Sequence, residues 1–308
     1  MSIDKVLVTG SSGTIGTRLC ERLMAETGVE VVGVDREPNP WNADVNNITQ
    51  VADLRHEETF ERLPRDLDLV IHLAANARVY ELVEEPDKAR DNFLTIFNTL
   101  EFCRRSGIPR FMFASSREVY GNSEVVTHAE NTVRLELCES PYSASKLGGE
   151  ALVRSYQQCY GMDFIIFRFS NVYGMYDTSD RLVPVFIRRT RAGKDLTVFG
   201  EDKLLDFTYI DDAVDGVMLS MERFQGAKNE VYNIAYGEGA TLMEVAERIQ
   251  QRLEVNQPIR IENTRTGEVV KYIADTSKAR DRLNFAPKVP LSEGVKKAVA
   301  WYQEHIPV

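Results

Sequence analysis

Short apolar runs predict strands at 5–9, 30–35, 49–53, 68–74, 110–115 and 163–169, and between them apolar positions recur at helical spacing. The helices so predicted span 14–27, 86–106 and 142–160; the second begins at Pro86 and stops before Gly107, the ends that proline and glycine favour. Alternating strands and helices build a parallel sheet covered on both faces. This is a doubly wound α/β fold whose ligands bind beyond the carboxyl ends of the strands. After about residue 170 the alternation loosens. A strand at 231–235, a helix at 242–253 that Thr241 can cap, and a tail helix at 290–305 around Val295, Ala298, Val299 and Tyr302 predict a smaller, mixed α/β C-terminal domain. No repeat or Pro/Ser-rich linker marks the boundary, which is a change of pattern.

The 308 residues suit one large or two medium domains, and 43% hydrophobic with 27% charged residues is ordinary for a globular chain. No apolar run approaches the ~18 residues of a membrane span. Met1-Ser2-Ile3-Asp4-Lys5 leads into a strand without a signal-peptide core, so a cytoplasmic protein with no membrane partner is expected. Cys20, Cys103, Cys138 and Cys159 form no Cys-x-x-Cys pair and read as reduced, partly buried thiols. His56, His72, His128 and His305 are too dispersed for a metal site, and His72, inside an apolar strand, reads as a hydrogen-bonded core histidine. A net charge of −10 argues against a nucleic-acid partner. Local positive charge remains at Arg181, Arg188, Arg189, Arg191 and Lys194, either for an anionic small molecule or as a solvated helix face.

The run Val8-Thr9-Gly10-Ser11-Ser12-Gly13-Thr14-Ile15-Gly16 closes the first strand and opens the first helix. In such a loop Gly10 makes the tight turn, Gly13 lets the chain approach a pyrophosphate, and Gly16 lets the helix pack on the sheet; Ser12, Thr14 and Ile15 place backbone amides at the helix N-terminus. Asp35 ends the second strand, where a carboxylate accepts hydrogen bonds from the adenosine ribose and repels a 2′-phosphate, favouring NAD. Arg36 beside it keeps NADP open. Asp53, followed by Leu54, ends the third predicted strand and is either an adenine contact or a turn aspartate. Further on, Tyr142 and Lys146 lie four residues apart, on one helix face, so that an ammonium can sit beside a phenol. A free tyrosine has a pKa of ~10, and a neighbouring cation lowers it toward the range where the phenolate acts as a base.

With these pieces in place the chain resembles the extended short-chain dehydrogenase/reductase family, and within it the nucleotide-sugar epimerases and dehydratases. Besides the glycine loop and the Tyr142/Lys146 pair, the matching segments are His72-Leu73-Ala74-Ala75, Ser115-Ser116-Arg117-Glu118-Val119-Tyr120-Gly121, Arg168-Phe169-Ser170-Asn171-Val172-Tyr173-Gly174, Asp206-Phe207-Thr208-Tyr209-Ile210-Asp211-Asp212 and Arg265-Thr266-Gly267-Glu268. The resemblance implies a Rossmann NAD-binding domain over 1–170, to which 205–236 returns, and a nucleotide-sugar domain from 171–204 and 237–308. It implies that Tyr142 removes the proton of the sugar 4-hydroxyl, that Lys146 holds the nicotinamide ribose and depresses the tyrosine pKa, and that Ser116 bonds O4. Leu73, Ala74 and Ala75 would line the cofactor. Asn171 and Arg265 would contact the diphosphate of a UDP-linked sugar, and the stretch 182–199, with Val183 and Val198, would line base and diphosphate. A homodimer is also implied, through the helices at 86–106 and 142–160; Phe93, Ile96, Phe97 and Leu100 could supply its apolar face or pack on the sheet.

The fate of the 4-keto sugar separates the reactions. An epimerase returns hydride to the other face and needs no further acid or base. In the resembling 4,6-dehydratases an adjacent Asp and Glu protonate the departing 6-hydroxyl and remove the C5 proton; this chain has Arg117 and Glu118, and arginine cannot be the acid. Uronate decarboxylases resembling the chain also carry Glu at the Glu118 position, which makes Glu118 a candidate catalytic residue or a structural carboxylate paired with Arg117. Leu205 stands where these relatives have arginine, and Lys203 is a possible substitute. If Arg117 reaches the pocket it could pair with a carboxylate at C6, favouring a UDP-hexuronate. The expected activity is thus an NAD-dependent nucleotide-sugar 4-epimerase acting on a UDP-hexose or UDP-hexuronate. Decarboxylation of UDP-glucuronate, 4,6-dehydration, and a silent NAD-binding redox sensor or scaffold are the alternatives.

Overall fold

The structure, a computed structural model, describes residues 2–308. Its strands are β1 (Lys5–Thr9), β2 (Glu30–Asp35), β3 (Thr49–Val51), β4 (Leu69–His72), β5 (Arg110–Ser116), β6 (Thr127–His128), β7 (Asp163–Phe169), β8 (Asn171–Tyr173), β9 (Leu196–Phe199), β10 (Leu204–Tyr209), β11 (Glu230–Ile234), β12 (Gly239–Thr241), β13 (Ile259–Glu262) and β14 (Lys271–Ala274). Seven of them form one parallel sheet in the order β11-β7-β5-β4-β1-β2-β3. The chain runs outward from β1 to β3 and then restarts on the other side at β4. A crevice therefore opens beyond β1 and β4, the place where such sheets bind ligands.

The period-two pleat sorts the sheet's side chains into two cores. Val6, Val8, Ile71, Met112, Ile165 and Phe167 pack on one face with Leu19 and Leu23 of the helix Thr14–Glu26. Leu7, Val70, Phe111, Phe113, Phe164 and Ile166 pack on the other with Ile96 and Leu100 of the helix Asp87–Ser106. Of the four apolar residues read on that helix, these two are buried, whereas Phe93 and Phe97 are exposed. His72 is buried, and its Nδ1 lies 2.9 Å from Thr9 Oγ1. Cys20 and Cys103 are buried, but Cys159 is exposed, which corrects its reading as partly buried.

The third strand stops at Val51, two residues short of its predicted end. Asp53 accepts from the Arg55 backbone N–H at 3.0 Å and grips its guanidinium, which turns the chain out of the sheet. Beyond Phe169 the chain passes directly into β8, which pairs with β10 in a second sheet of order β12-β10-β14-β6. The segment 205–236 is thereby split: β10 belongs to the small sheet and β11 to the edge of the large one. Asp206 in β10 joins the parts, its buried carboxylate accepting from the backbone of Tyr236, Gly237 and Ala274. The helix Leu242–Leu253 carries the predicted Thr241 cap as a full capping box with Glu244. Among the described residues no helix is long and apolar enough to cross a membrane.

Candidate active site

At the crevice the glycine loop is fixed by its own geometry. Gly10 has φ +75°, and a Cβ there would stand 2.8 Å from the Ala74 backbone nitrogen. A Cβ on Gly16 would fall 1.9 Å from the Gly10 carbonyl oxygen, so the helix sits on the turn as only glycine permits. Gly13 is the N-cap of the helix Thr14–Glu26 and supplies no capping side chain, which leaves first-turn amides for an anion. Asp35 Oδ2 accepts from Ser12 N at 3.0 Å, and Ser12 Oγ donates to the Glu37 carbonyl, so the loop is tied to the end of β2. Thr14 Oγ1 donates to the Tyr176 carbonyl, and Ile15 packs against the core below. Arg36 donates to Asn76 Oδ1 at 3.3 Å. Across the crevice Leu73 N and Ala74 N donate to Thr9, with Leu73, Ala74 and Ala75 half-buried. Asp53 is held by Arg55, and Leu54 is buried with its carbonyl accepting from Asn98. A free helix N-terminus, a glycine cradle and a carboxylate twenty-odd residues on fit a dinucleotide.

Ser116 ends β5, and Tyr142 begins the helix Pro141–Tyr160, whose N-terminus Ser140 caps by accepting from Ser143 N. The Ser116 hydroxyl accepts from Glu118 N at 3.2 Å and acts on the neighbouring Tyr142 phenol, lowering its pKa. Lys146, one turn on, is buried, donates to the Ala114 carbonyl at 2.7 Å and stands 5.8 Å from the centre of the Tyr142 ring. The expected depression of the tyrosine pKa by Lys146 is not what this arrangement gives. Burial pushes the Tyr142 phenol above 10.0, while Ser116, Arg181 and Arg117 pull it down. Lys146 is itself brought down to about 7 by burial, with Glu150 opposing and Arg181 assisting. An ammonium that is half discharged and turned toward a carbonyl has little charge to offer the phenol.

Glu118 is fully enclosed: Oε1 lies 2.7 Å from Arg117 Nη2, and Oε2 accepts from Val269 N at 3.3 Å. Burial raises its pKa, against the neighbouring Arg117 charge. Arg117 is buried too and donates through Nε to Asn171 Oδ1 at 3.3 Å. Asn171 donates in turn to the Asp206 carbonyl at 2.9 Å, so its amide, read as a diphosphate contact, is engaged with protein at both ends. Lys203 does not replace the missing arginine at Leu205, because its ammonium is paired with Glu268 and buried. Arg265 stacks on Phe199, its Cζ 3.9 Å from the ring centre, and on Tyr80 at 4.9 Å. The pleat of β9 turns Val198 into the core, as the helix Leu182–Arg191 does Val183, and leaves the neighbouring Phe199 half-buried.

The basic cluster disperses. Arg188 bonds Asp180, Arg189 the Asp195 carbonyl and Arg191 the Tyr302 carbonyl; Arg181 alone acts on Tyr142 and Lys146. Sequence reasoning also passed over two supports. Glu150, one turn beyond Lys146, accepts from Ser115 and from both Nε and Nη2 of Arg168. Buried Asn92 donates to Ser145 and to the Asn76 carbonyl, tying the tyrosine helix to the turn after β4. The spacing 142/146/150 was the available signal for Glu150; Asn92 had none.

Residues 6–235 match the model of the NAD dependent epimerase/dehydratase family. A putative UDP-glucose 4-epimerase of Methanocaldococcus jannaschii is 31% identical, over 97% of this chain and 99% of its own length. The crystal structure of a UDP-glucose 4-epimerase of Thermotoga maritima with UDP-glucose superposes with a TM-score of 0.89 at 30% identity, covering 98% of this chain and all of that one, 100%. A UDP-glucuronic acid 4-epimerase of Bacillus cereus, in complex with UDP-glucuronic acid and NAD, gives 0.89 at 27% identity over 97% of this chain and 99% of its own. dTDP-glucose 4,6-dehydratases are also similar over nearly the whole chain.

Proposed function

Since the chain belongs to the NAD-dependent epimerase/dehydratase family, we propose that it is a UDP-sugar 4-epimerase acting through a transient 4-keto sugar. The observation that carries this over dehydration is the Arg117–Glu118 ion pair. The position that must give a proton to a leaving 6-hydroxyl holds a guanidinium, and the carboxyl beside it is engaged by that guanidinium and a backbone amide. The end of β5 also brings together the Ser116 hydroxyl, which accepts from Glu118 N and keeps its own proton to donate, and the Tyr142 phenol, which suits a substrate hydroxyl that must lose and regain a proton.

The cofactor is NAD, which supplies the hydride acceptor at C4 and returns the hydride. The glycine loop and Asp35 would hold its pyrophosphate and adenosine ribose. Ser116 would orient O4, and Tyr142 would take its proton, the cations Arg117 and Arg181 favouring the phenolate against burial. Arg265 and Arg181 would offer charge to the diphosphate. The active unit is proposed to be a homodimer, formed through the helices Asp87–Ser106 and Pro141–Tyr160.

Incubation with NAD and, separately, UDP-glucose, UDP-N-acetylglucosamine and UDP-glucuronate, followed by proton NMR, tests the reading. A C4 epimer without net NADH is expected. UDP-xylose or a 4-keto pentose from UDP-glucuronate would make Glu118 catalytic and decarboxylation the better account. A Tyr142→Phe protein should bind NAD and lose turnover by ~10²-fold or more; unaltered behaviour would point to a sensor or scaffold.

A further inference from the structure

Beside the Ser116–Tyr142 pair lies a buried cation with an unused donor. The Arg117 side chain is 10% exposed, and its Nη1 has no hydrogen-bond partner among the described residues. Its other nitrogens are committed, Nη2 to Glu118 at 2.7 Å and Nε to Asn171 at 3.3 Å. Cζ stands 6.0 Å from the centre of the Tyr272 ring, whose hydroxyl is likewise buried and unpartnered. Native proteins rarely leave a buried charged donor unpaired, because desolvation is then uncompensated. The fold holds this guanidinium in place from two sides, and its charge reaches the Tyr142 phenol. Such a group is positioned for an acceptor that arrives with a ligand.

The chemistry of that acceptor follows from the sugar. In a hexopyranose, C5 with its C6 substituent adjoins C4, so a sugar whose O4 lies at Ser116 and Tyr142 brings C6 near the residue that follows Ser116. A hydroxymethyl group offers one neutral oxygen. A carboxylate offers two and matches the planar donors of a guanidinium. A second buried cation, Lys203, paired with Glu268, acts on Glu118 from the same neighbourhood. We infer that Arg117 is the receptor for a C6 carboxylate, which makes the preferred substrate a UDP-hexuronate and not a neutral UDP-hexose. The inference rests on reading the site as a UDP-sugar 4-epimerase.

The test measures binding, so that it does not depend on which reaction follows. With NAD present and Tyr142→Phe in the background to hold the sugar unreacted, UDP, UDP-glucose and UDP-glucuronate are titrated calorimetrically against Arg117, Arg117→Ser and Arg117→Lys proteins. With Arg117 intact, UDP-glucuronate should bind at least ten-fold more tightly than UDP-glucose. Arg117→Ser should abolish that preference and Arg117→Lys reduce it several-fold, both with UDP affinity unchanged. Equal binding of the two sugars by the Arg117 protein, or equal losses for both in the variants, overturns the inference and leaves the epimerase reading standing. No binding of UDP or either sugar by the Arg117 protein sinks both. Should Arg117→Ser lose UDP as well, its fold is damaged and Arg117→Lys decides: an undiminished preference there counts against the inference.

Discussion

Lys146 is an ammonium in a place that resists charge. Burial brings its pKa to about 7 from an ordinary 10.5, so the native state binds fewer protons than the unfolded chain between those values. The sign follows: stability is greatest above the unfolded pKa and declines as pH falls through about 7, where the buried site must be charged. At ~1.4 kcal/mol per pKa unit the penalty is on the order of several kcal/mol below neutrality. Lys146→Met should therefore raise the melting temperature relative to the parent more at pH 6 than at pH 9, although it strands the Ala114 carbonyl at either pH and removes turnover. A melting difference that does not change between those pH values would contradict the assignment. The pairing of Tyr142 with Lys146 was legible in the sequence because a four-residue spacing on a helix is a local property. Which way the two pKa values move was not. It depends on burial under Phe113 and on Arg181, from a segment thirty-odd residues away.

The nucleotide loop works as an element, and its tolerance can be read from what a methyl group would strike. A Cβ at Gly16 meets the Gly10 backbone oxygen at 1.9 Å, and backbone cannot swing aside as a side chain can. Gly16→Ala should push the helix Thr14–Glu26 off the β1 turn and weaken NAD binding at least ten-fold, measured by fluorescence titration; Gly107→Ala, whose Cβ meets nothing within 4 Å, should leave it unchanged despite the strain of φ +70°. Retained affinity in Gly16→Ala would remove the loop from the cofactor site. This element was legible because turn, glycine spacing and helix are contiguous. Strands at 5–9, 30–35 and 163–169 were likewise placed to the residue by their apolar runs. The small sheet was not. Its strands β8 and β12 are three residues long and are stabilised by partners far along the chain, β10 in both cases. The facing of β9 was missed for a related reason. Its pleat direction is set by pairing with β13, more than sixty residues away, which buries Val198 and leaves Phe199 to meet Arg265.

At the scale of the molecule, the helices Asp87–Ser106 and Pro141–Tyr160 lie side by side and present an apolar face that the sheet does not cover. Phe93, Leu94 and Phe97 are 37%, 40% and 44% exposed, at the edge of the stripe whose centre holds buried Ile96 and Leu100. Phe93 lies against Gly148, where a Cβ would come within 2.2 Å of its ring, so the two helices form one surface. Large aromatic residues clustered on one face, with charged residues elsewhere on the surface, are what a two-fold interface needs, since each residue then meets its own copy or its neighbour's. Sequence periodicity could not divide the four apolar residues of the first helix between core and interface, because all lie within reach of a single helical stripe. Phe97→Glu places a carboxylate on this face, close to its symmetry mate, at no cost to the monomer core. Light scattering should show the parent at twice the monomer mass and Phe97→Glu at the monomer mass, with NAD affinity retained because the helix that follows the glycine loop packs on the opposite face of the sheet. A parent that is monomeric at micromolar concentration, or a Phe97→Glu protein that remains dimeric, would place the association elsewhere or remove it.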